Sequence, residues 1–471
     1  MKSYFDLFGV TEEMAEKIMS EALSSGGHYC DLFFQYRSAK NLHLEDNAVN
    51  SAFNATDFGV GIRVISNEQT GFSFTEDLTF HSMLKAAKTA SAIANSVNSF
   101  KKLKFVPKTE TIPDYYPILK TWDSVDTKEK MPVLSKINSS VFSLDSRIIQ
   151  CNISFTDTES KILIINSDGG IYTDYRPLFS LKVKVTAEEN NSRESNIAAR
   201  SGRYGFEFLN EDIIKDISQE AVRRTVDLFD AVKPDGGEME IVLAPGSSGI
   251  LLHEAIGHGL EADFNRKKTS LFYNKLGEKV AEPFVSVVDD GTWKNARGSL
   301  NIDDEGNKTE KTFLVKNGIL INYIHDRISA QHYGVLPTGN GRRQSFRYSP
   351  TPRMRNTYML SGPHASEEII RSVKKGIYAE TFSNGQVLIG AGDFTFYVKT
   401  GYLIEEGKIT KPVKDINIIG NGPEVLKNVV MVGDDLTLDS GTWTCGKESQ
   451  GVPVSHGLPT VKVSRITVGG I

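Results

Sequence analysis

Two histidines and a glutamate, His253, Glu254 and His258, fall within six residues in the stretch EMEIVLAPGSSGILLHEAIGHGLEAD, Glu238 to Asp263. Imidazole nitrogen is a good zinc ligand, and a carboxylate beside it can act as general base to a bound water. The flanking Leu251, Leu252, Ala255 and Ile256 are apolar, which suggests a site facing a buried cavity. The spacing sets a condition. In H-E-x-x-H the histidines are four apart and leave nearly one face of a helix. Here they are five apart, about 500° of ideal helix or roughly 140° of net separation. They converge on one ion only if the helix bulges or ends between them, and Gly257, followed by Gly259, is where that distortion costs least. The plain alternative is a buried helix with two hydrogen-bonded histidines. A metal also requires a third ligand from elsewhere.

The candidates for that ligand are Cys445, His456, His325, His332 or a carboxylate such as Glu261. Cys445 sits in GTWTCGKESQGVPV, where Gly441 and Gly446 leave room for a thiolate to approach an ion, and soft sulfur suits zinc. A lone cysteine is otherwise a small buried hydrophobe, and Cys30 and Cys151, both in strand-like runs, fit that description. Gly339-Asn340-Gly341-Arg342-Arg343 lacks the Gly-Lys-Ser/Thr ending of a phosphate loop. It reads instead as a turn whose arginines form ion pairs or line a cleft. Asp303-Asp304-Glu305-Gly306 resembles half a calcium loop without the later ligands and reads as a solvated acidic turn.

The elements that position these residues follow from periodicity. Ile241 to Ala244 is a strand broken by Pro245 and Gly246, with Ser247 or Ser248 placed to cap the next helix. Before it, a helix starts at Thr11 and ends at Gly26-Gly27. Strand-like segments follow at Cys30–Tyr36, Asn41–Glu45, Val60–Ile65 and Gly71–Thr75, then an alanine-rich helix from Phe80 to Val97. Phe105 to Trp122 is loop-like. Lys128 to Phe142 is a helix, and Ile148–Thr156, Lys161–Ser167, Ile171–Tyr175 and Leu178–Ala187 are strands, two of them joined by the Asp168-Gly169-Gly170 turn. Asn190 to Arg203 is polar and reads as a mobile surface loop, and a helix runs from Asn210 or Glu211 to about Val232. Lys233 to Gly237 is the clearest boundary. It divides the chain into an amino-terminal α/β domain, 1–232, with a sub-boundary at 105–122, and a β-rich carboxyl-terminal domain, 238–471. The fold class is α+β. In the second half, Asn317-Gly318 and Glu406-Gly407 are hairpin turns, and a short helix lies near Ser366–Lys375.

With 471 residues the chain can bury a large core. Its net charge of −5 gives no general reason to bind nucleic acid or an anionic membrane. No segment approaches the uninterrupted apolar run of a membrane span. The acidic start lacks a signal-peptide core, and three scattered cysteines make no disulfide framework. Together these point to a cytoplasmic protein.

Beyond these signals, the blocks LLHEAIGHGLEADFNRK, VVDDGT, RGSLNIDDEG, PTGNGRR, NTYMLSG, VKKGIYA, GYLIEEGKITKPVK, IGNGPE and CGKESQGVPV cover nearly all of the second half in order. In these blocks the chain resembles the TldD/PmbA family of metalloproteases, also known as modulators of DNA gyrase. The first half matches more loosely, through GVGIRVISNEQTGFSFTEDLT. The resemblance implies a zinc site made by His253, His258 and Cys445, with Glu254 as the catalytic carboxylate. It also implies hydrolysis of unfolded or flexible peptides, and assembly as a homodimer or as a heterodimer with a paralogue lacking the metal motif. It carries over no role for His456.

Overall fold

The computed structural model describes residues 1–94, 105–108, 111–388 and 390–470. Alternating apolar residues in the first half build one antiparallel sheet from β1 (Tyr29–Glu45), β2 (Ala48–Ser66), β3 (Gln69–Thr75), β4 (Ile148–Asn166), β5 (Ile171–Glu189) and β6 (Ser192–Gly202), in the order β3-β2-β1-β4-β5-β6. Gly71–Thr75 is a strand of its own as expected, whereas the pairs of segments expected within β1, β4 and β5 are each one continuous strand. Ser38–Lys40, the polar interval between two of them, pairs with β2 on one side and β4 on the other, so the ladder holds the backbone regardless of side-chain polarity. Pro177 is tolerated inside β5 because pairing with β6 begins only at Phe179. Asn190 to Arg203, expected as a mobile loop, is instead the β5–β6 turn and β6 itself. Asn190 and Asn191 both take left-handed φ (51° and 65°), as a two-residue hairpin turn requires.

Helices cover the two ends of this sheet. Glu12–Ala22, capped by the Thr11 side chain, and Phe80–Ala94 pack with Leu32, Phe34, Ile62 and Val64. The expected extension of the second helix to Val97 lies outside the described residues. Thr127–Leu144, opened by an Asp126/Glu129 capping box, and Glu211–Val226 pack with Ile153, Phe155, Leu181 and Val183. The latter ends sooner than the expected Val232 and passes into a 3₁₀ turn, Asp227–Asp230. No described helix is long and apolar enough to cross a membrane.

The second half is a mixed α+β assembly dominated by strands. Gly237–Leu243 lies between Lys375–Leu388, which is parallel to it, and Val461–Gly470, which is antiparallel. In a second sheet, Asn356–Met359 lies between Val287–Asp290 and Ser455–Leu458. Leu251, Leu252, Ala255 and Ile256 fill the core beside Leu243, Val425, Leu426 and Val461. The turns at Asn317-Gly318 and Glu406-Gly407 form as their sequences require.

The two halves meet through buried charge. Asp303, Asp304 and Glu305, expected as a solvated turn, are at most 2% exposed. Arg63 of β2 pairs with Asp31 (2.5 Å) and Glu305 (2.7 Å), Arg343 pairs with Asp31 (3.1 Å), and Arg176 of β5 pairs with Asp304 (2.5 Å). The acidic turn is buried because cations of the amino-terminal sheet meet it, a pairing invisible in local composition. Phe346 reaches the same seam. A Cβ at Gly59 would stand 2.3 Å from its ring, and one at Gly61 would stand 2.4 Å from its carbonyl oxygen. Burial and the neighbouring Glu305 push the Asp303 carboxyl up to about 7. Asp31→Ala leaves buried Arg343 without its carboxylate and Arg63 with Glu305 alone, and should cost about 3–5 kcal/mol. Urea unfolding measures this, and a loss below about 1 kcal/mol, the range of a solvated pair, would contradict the network's role.

Candidate metal centre

Between His253 and His258 the helix changes its winding. Ile250–Leu252 is α-helical, His253–Gly257 is a π-turn, and His258–Leu260 is 3₁₀. The His258 N–H donates to the His253 carbonyl, a five-residue closure. That closure adds a residue to the turn and brings position i+5 back over position i. It meets the condition set by the spacing, and the two rings stand 5.1 Å apart at 84°. Gly257 itself has ordinary helical φ and ψ of −57° and −51°. Its missing side chain serves packing, since a Cβ there would lie 2.2 Å from Met354 Sδ. Neither Ser247 nor Ser248 caps the helix. The Ser248 hydroxyl donates back to the Ala244 carbonyl.

Cys445 arrives from the opposite side, on the hairpin of Thr444–Lys447 and Gln450–Pro453. Glu448 and Ser449 turn that hairpin with left-handed φ, and buried Arg353 donates to the carbonyls of Cys445 and Gln450. Cys445 Sγ stands 3.5 Å from His258 Nε2. One donor atom from each of His253, His258 and Cys445 lies within 4.8 Å of the others, and all three residues are buried. Of the open candidates for a third ligand, Cys445 is the one brought beside both histidines. Cys30 and Cys151 are buried in β1 and β4.

The electrostatics fit a cation. Burial pushes the Cys445 thiol up, but the adjacent His258 and His253 outweigh it and hold the thiol well below its usual range. His258 Nδ1 meets Glu261 Oε2 at 3.0 Å, which leaves Nε2 facing the sulfur. Such a carboxylate–imidazole contact fixes the ring and raises its basicity as a ligand. Lys447 steadies Glu261 at 3.2 Å and Asp263 at 2.6 Å. Burial raises the Glu261 carboxyl, yet Lys447 and His258 prevail and hold it at about 2. His253 Nδ1 is buried with no hydrogen-bond partner among the described residues. An orphaned imidazole nitrogen beside a depressed thiol is the donor set that a soft or borderline divalent metal satisfies.

Glu254 differs from these three. Its side chain is 21% exposed, with Oε2 3.8 Å from His258 Nε2, and it lines a cavity of about 460 Å³ with His253, Ser383, Trp443 and Thr444. His456 is buried and donates from Nε2 to the Ser247 carbonyl at 3.2 Å. Burial pushes it down to about 3, and its ring is 6.5 Å from that of His253. His325 packs against Tyr323 and Tyr333, and His332 pairs with Glu68. Lys447 and Arg353 carry no local signal in the sequence, because their partners lie far along the chain. Glu261, a candidate third ligand in the sequence, meets the His258 ring at Nδ1 instead.

Three sequence profiles of the PmbA/TldA metallopeptidase family match the chain: domain 1 at residues 30–94, the central domain at 120–229 and the C-terminal domain at 236–470. A Haemophilus influenzae protein named metalloprotease TldD homolog is 40% identical over 94% of this chain and 93% of its own length. A Saccharolobus solfataricus protein named zinc metalloprotease TldD homolog is 29% identical over 96% and 99%. A solved structure from Thermotoga maritima, whose name connects it with modulation of a DNA gyrase, shares the fold with a TM-score of 0.78. It is 23% identical over 97% of this chain and 100% of that one.

Two measurements check the site. His253→Ala and Cys445→Ala should each lose the bound metal by elemental analysis, whereas Cys30→Ala should keep it; full retention in both site variants refutes the donor set. In metal-free protein, the depressed Glu261 carboxyl stabilises the fold fully above its ordinary 4.5, and this contribution disappears as pH falls toward about 2. The stability advantage of the wild type over Glu261→Gln should shrink across that window, and an advantage independent of pH would contradict the pairing.

Proposed function

The chain belongs to the PmbA/TldD family of metallopeptidases, and from that premise we propose that it is a zinc-dependent peptidase acting on unfolded or flexible peptides, with Glu254 as general base. The observation that carries this reading is the convergence of two imidazoles and a thiol within 4.8 Å, with a partly exposed carboxylate beside them on the cavity side. His253, His258 and Cys445 would hold the ion. Bound zinc supplies Lewis acidity toward the scissile carbonyl and lowers the pKa of a water.

The remaining chemistry belongs to the chain. Cys445 is poised as a thiolate by its histidine neighbours. Glu261 holds the His258 ring through Nδ1 so that Nε2 points inward. Glu254 takes a proton from the attacking water and passes it to the leaving amine, which requires a carboxylate that faces substrate rather than being spent as a ligand. Ile250, Phe396 and Val454 line the same cavity and limit water around the reacting bond. Donor atoms this deeply buried are reached by an extended chain more readily than by a folded domain, which supports flexible substrates.

We also propose that the protein works as a dimer, with itself or with a metal-lacking paralogue, as the family resemblance implies. Degradation of an unfolded protein by the purified chain alone, with its mass measured by light scattering, separates the two. Activity that appears only after the paralogue is added establishes the heteromer.

Glu254→Gln keeps size and hydrogen bonding but cannot accept the proton. It should lower peptide cleavage about 10²–10⁴-fold while zinc content and peptide binding stay close to wild type. Cleavage at the wild-type rate would end the general-base reading, and loss of zinc would make Glu254 a ligand.

A further inference from the structure

On the other side of Thr444 from the Glu254 cavity lies a larger one, about 560 Å³, between the amino-terminal sheet and the loops of the second half. Arginines dominate its lining. Arg37 pairs with Asp57, Arg176 with Asp174 and Asp304, Arg343 with Asp31, and Arg347 with Asp57 and Glu76. Three others, Arg203, Arg297 and Arg342, are 4%, 7% and 2% exposed. Among the described residues, none of the three lies within ion-pair distance of a carboxylate.

These three are held by neutral groups. Arg342 donates to the carbonyls of Met354 (2.5 Å) and Pro453 (2.7 Å). Arg297 donates to the Trp443 carbonyl (2.8 Å) and to the Ser180, Ser201 and Thr444 hydroxyls. Arg203 reaches the Pro177 carbonyl at 3.2 Å, and its Nε is buried without an acceptor. Carbonyls satisfy hydrogen bonds but do not neutralise charge, and a buried guanidinium without an anion carries a desolvation penalty of several kcal/mol. Burial pushes Arg342 down to about 9 and Arg297 to about 10; Arg203 adds like-charge repulsion at both, and the carboxylates of Asp304, near Arg342, and Asp439, near Arg297, only partly offset this. Asp57 and Asp304 line the cavity but are already paired, with Arg37, Arg347 and Arg176, so the three further cations are unfavourable there unless another anion joins them.

We propose that this cavity is a second binding site, which takes the carboxylate of a peptide, either its carboxyl terminus or an acidic side chain. The size suits a few residues of ligand, and guanidinium groups bind carboxylates through paired charge-assisted hydrogen bonds. Thr444 lines both cavities and precedes Cys445, so a peptide anchored here lies next to the metal centre. The peptide identity of the ligand rests on the peptidase reading; the requirement for an anion does not.

The test uses Glu254→Gln protein, which binds without turnover. Two labelled peptides of one sequence are titrated by fluorescence anisotropy, one with Glu and a free carboxyl terminus, the other with Gln and a terminal amide. The acidic peptide should bind about tenfold tighter or better, as one charge-assisted hydrogen bond gives. Adding Arg203→Gln or Arg297→Gln should erase the preference, and Arg203→Lys should keep part of it. Equal binding of the two peptides overturns the proposal, and that comparison needs no arginine variant to fold. In a parallel arm, inorganic phosphate is compared with chloride at matched ionic strength in thermal unfolding of the wild type. If neither peptide binds while phosphate raises the Tm of the wild type but not of Arg203→Gln, the anion site survives and the peptidase reading fails. If neither peptide preference nor phosphate protection appears, the site itself is refuted.

Discussion

One hydrogen bond, from the His258 N–H to the His253 carbonyl, sets the geometry on which the site depends. An ideal α-helix would separate the two rings by more than a third of a turn, and no placement of Cys445 could then serve both. The five-residue closure removes most of that offset. Apolar burial of Leu251, Leu252, Ala255 and Ile256 on the core side offsets the cost of the irregular winding. Met354 packs where any side chain on residue 257 would stand. The distortion is therefore held from outside the helix as well as from within it.

Around that turn the structure places an unusual amount of buried charge, and nearly all of it is paired. Glu261, Lys447 and Asp263 form a chain behind His258, while Arg353 clamps the hairpin that delivers Cys445. Farther out, Asp31, Arg63, Glu305 and Arg343 lock the amino-terminal sheet against the loops of the second half. Breaking one partner of such a pair costs more than the pair contributes relative to an apolar replacement. These networks therefore act chiefly to fix geometry, and they fix it at the seam where the two halves share a cavity. The unpaired arginines of that cavity stand out against this background.

Burial separates the roles of neighbouring residues. His253 and His258 lie at 1% and 4% exposure, in reach of the sulfur, while Glu254 between them keeps a fifth of its side chain open to the cavity. A π-turn alone would not produce this division. The cavity that Glu254 faces is also lined by Trp443 and Thr444, from the far end of the chain.

The local pattern already held the hairpin turns at Asn317-Gly318 and Glu406-Gly407, most of the helices, the pairing of His253 with His258 and the need for a bulge between them. Period, turn chemistry and spacing are properties of adjacent residues, so they are legible without a fold. The strands were legible in place but not in length, because Ser38–Lys40 becomes strand only through the partners on either side. Asn190 to Arg203 likewise looks polar and loose until β5 pairs with it. The third donor was open among several residues on spacing alone, since Cys445 stands 187 positions from His258 and only the resemblance singled it out. Asp303, Asp304 and Glu305 looked solvated because nothing near them in sequence carries the arginines they meet. Local sequence determined which groups could do chemistry; the tertiary structure decided which of them meet, because burial and charge pairing join residues that lie hundreds of positions apart.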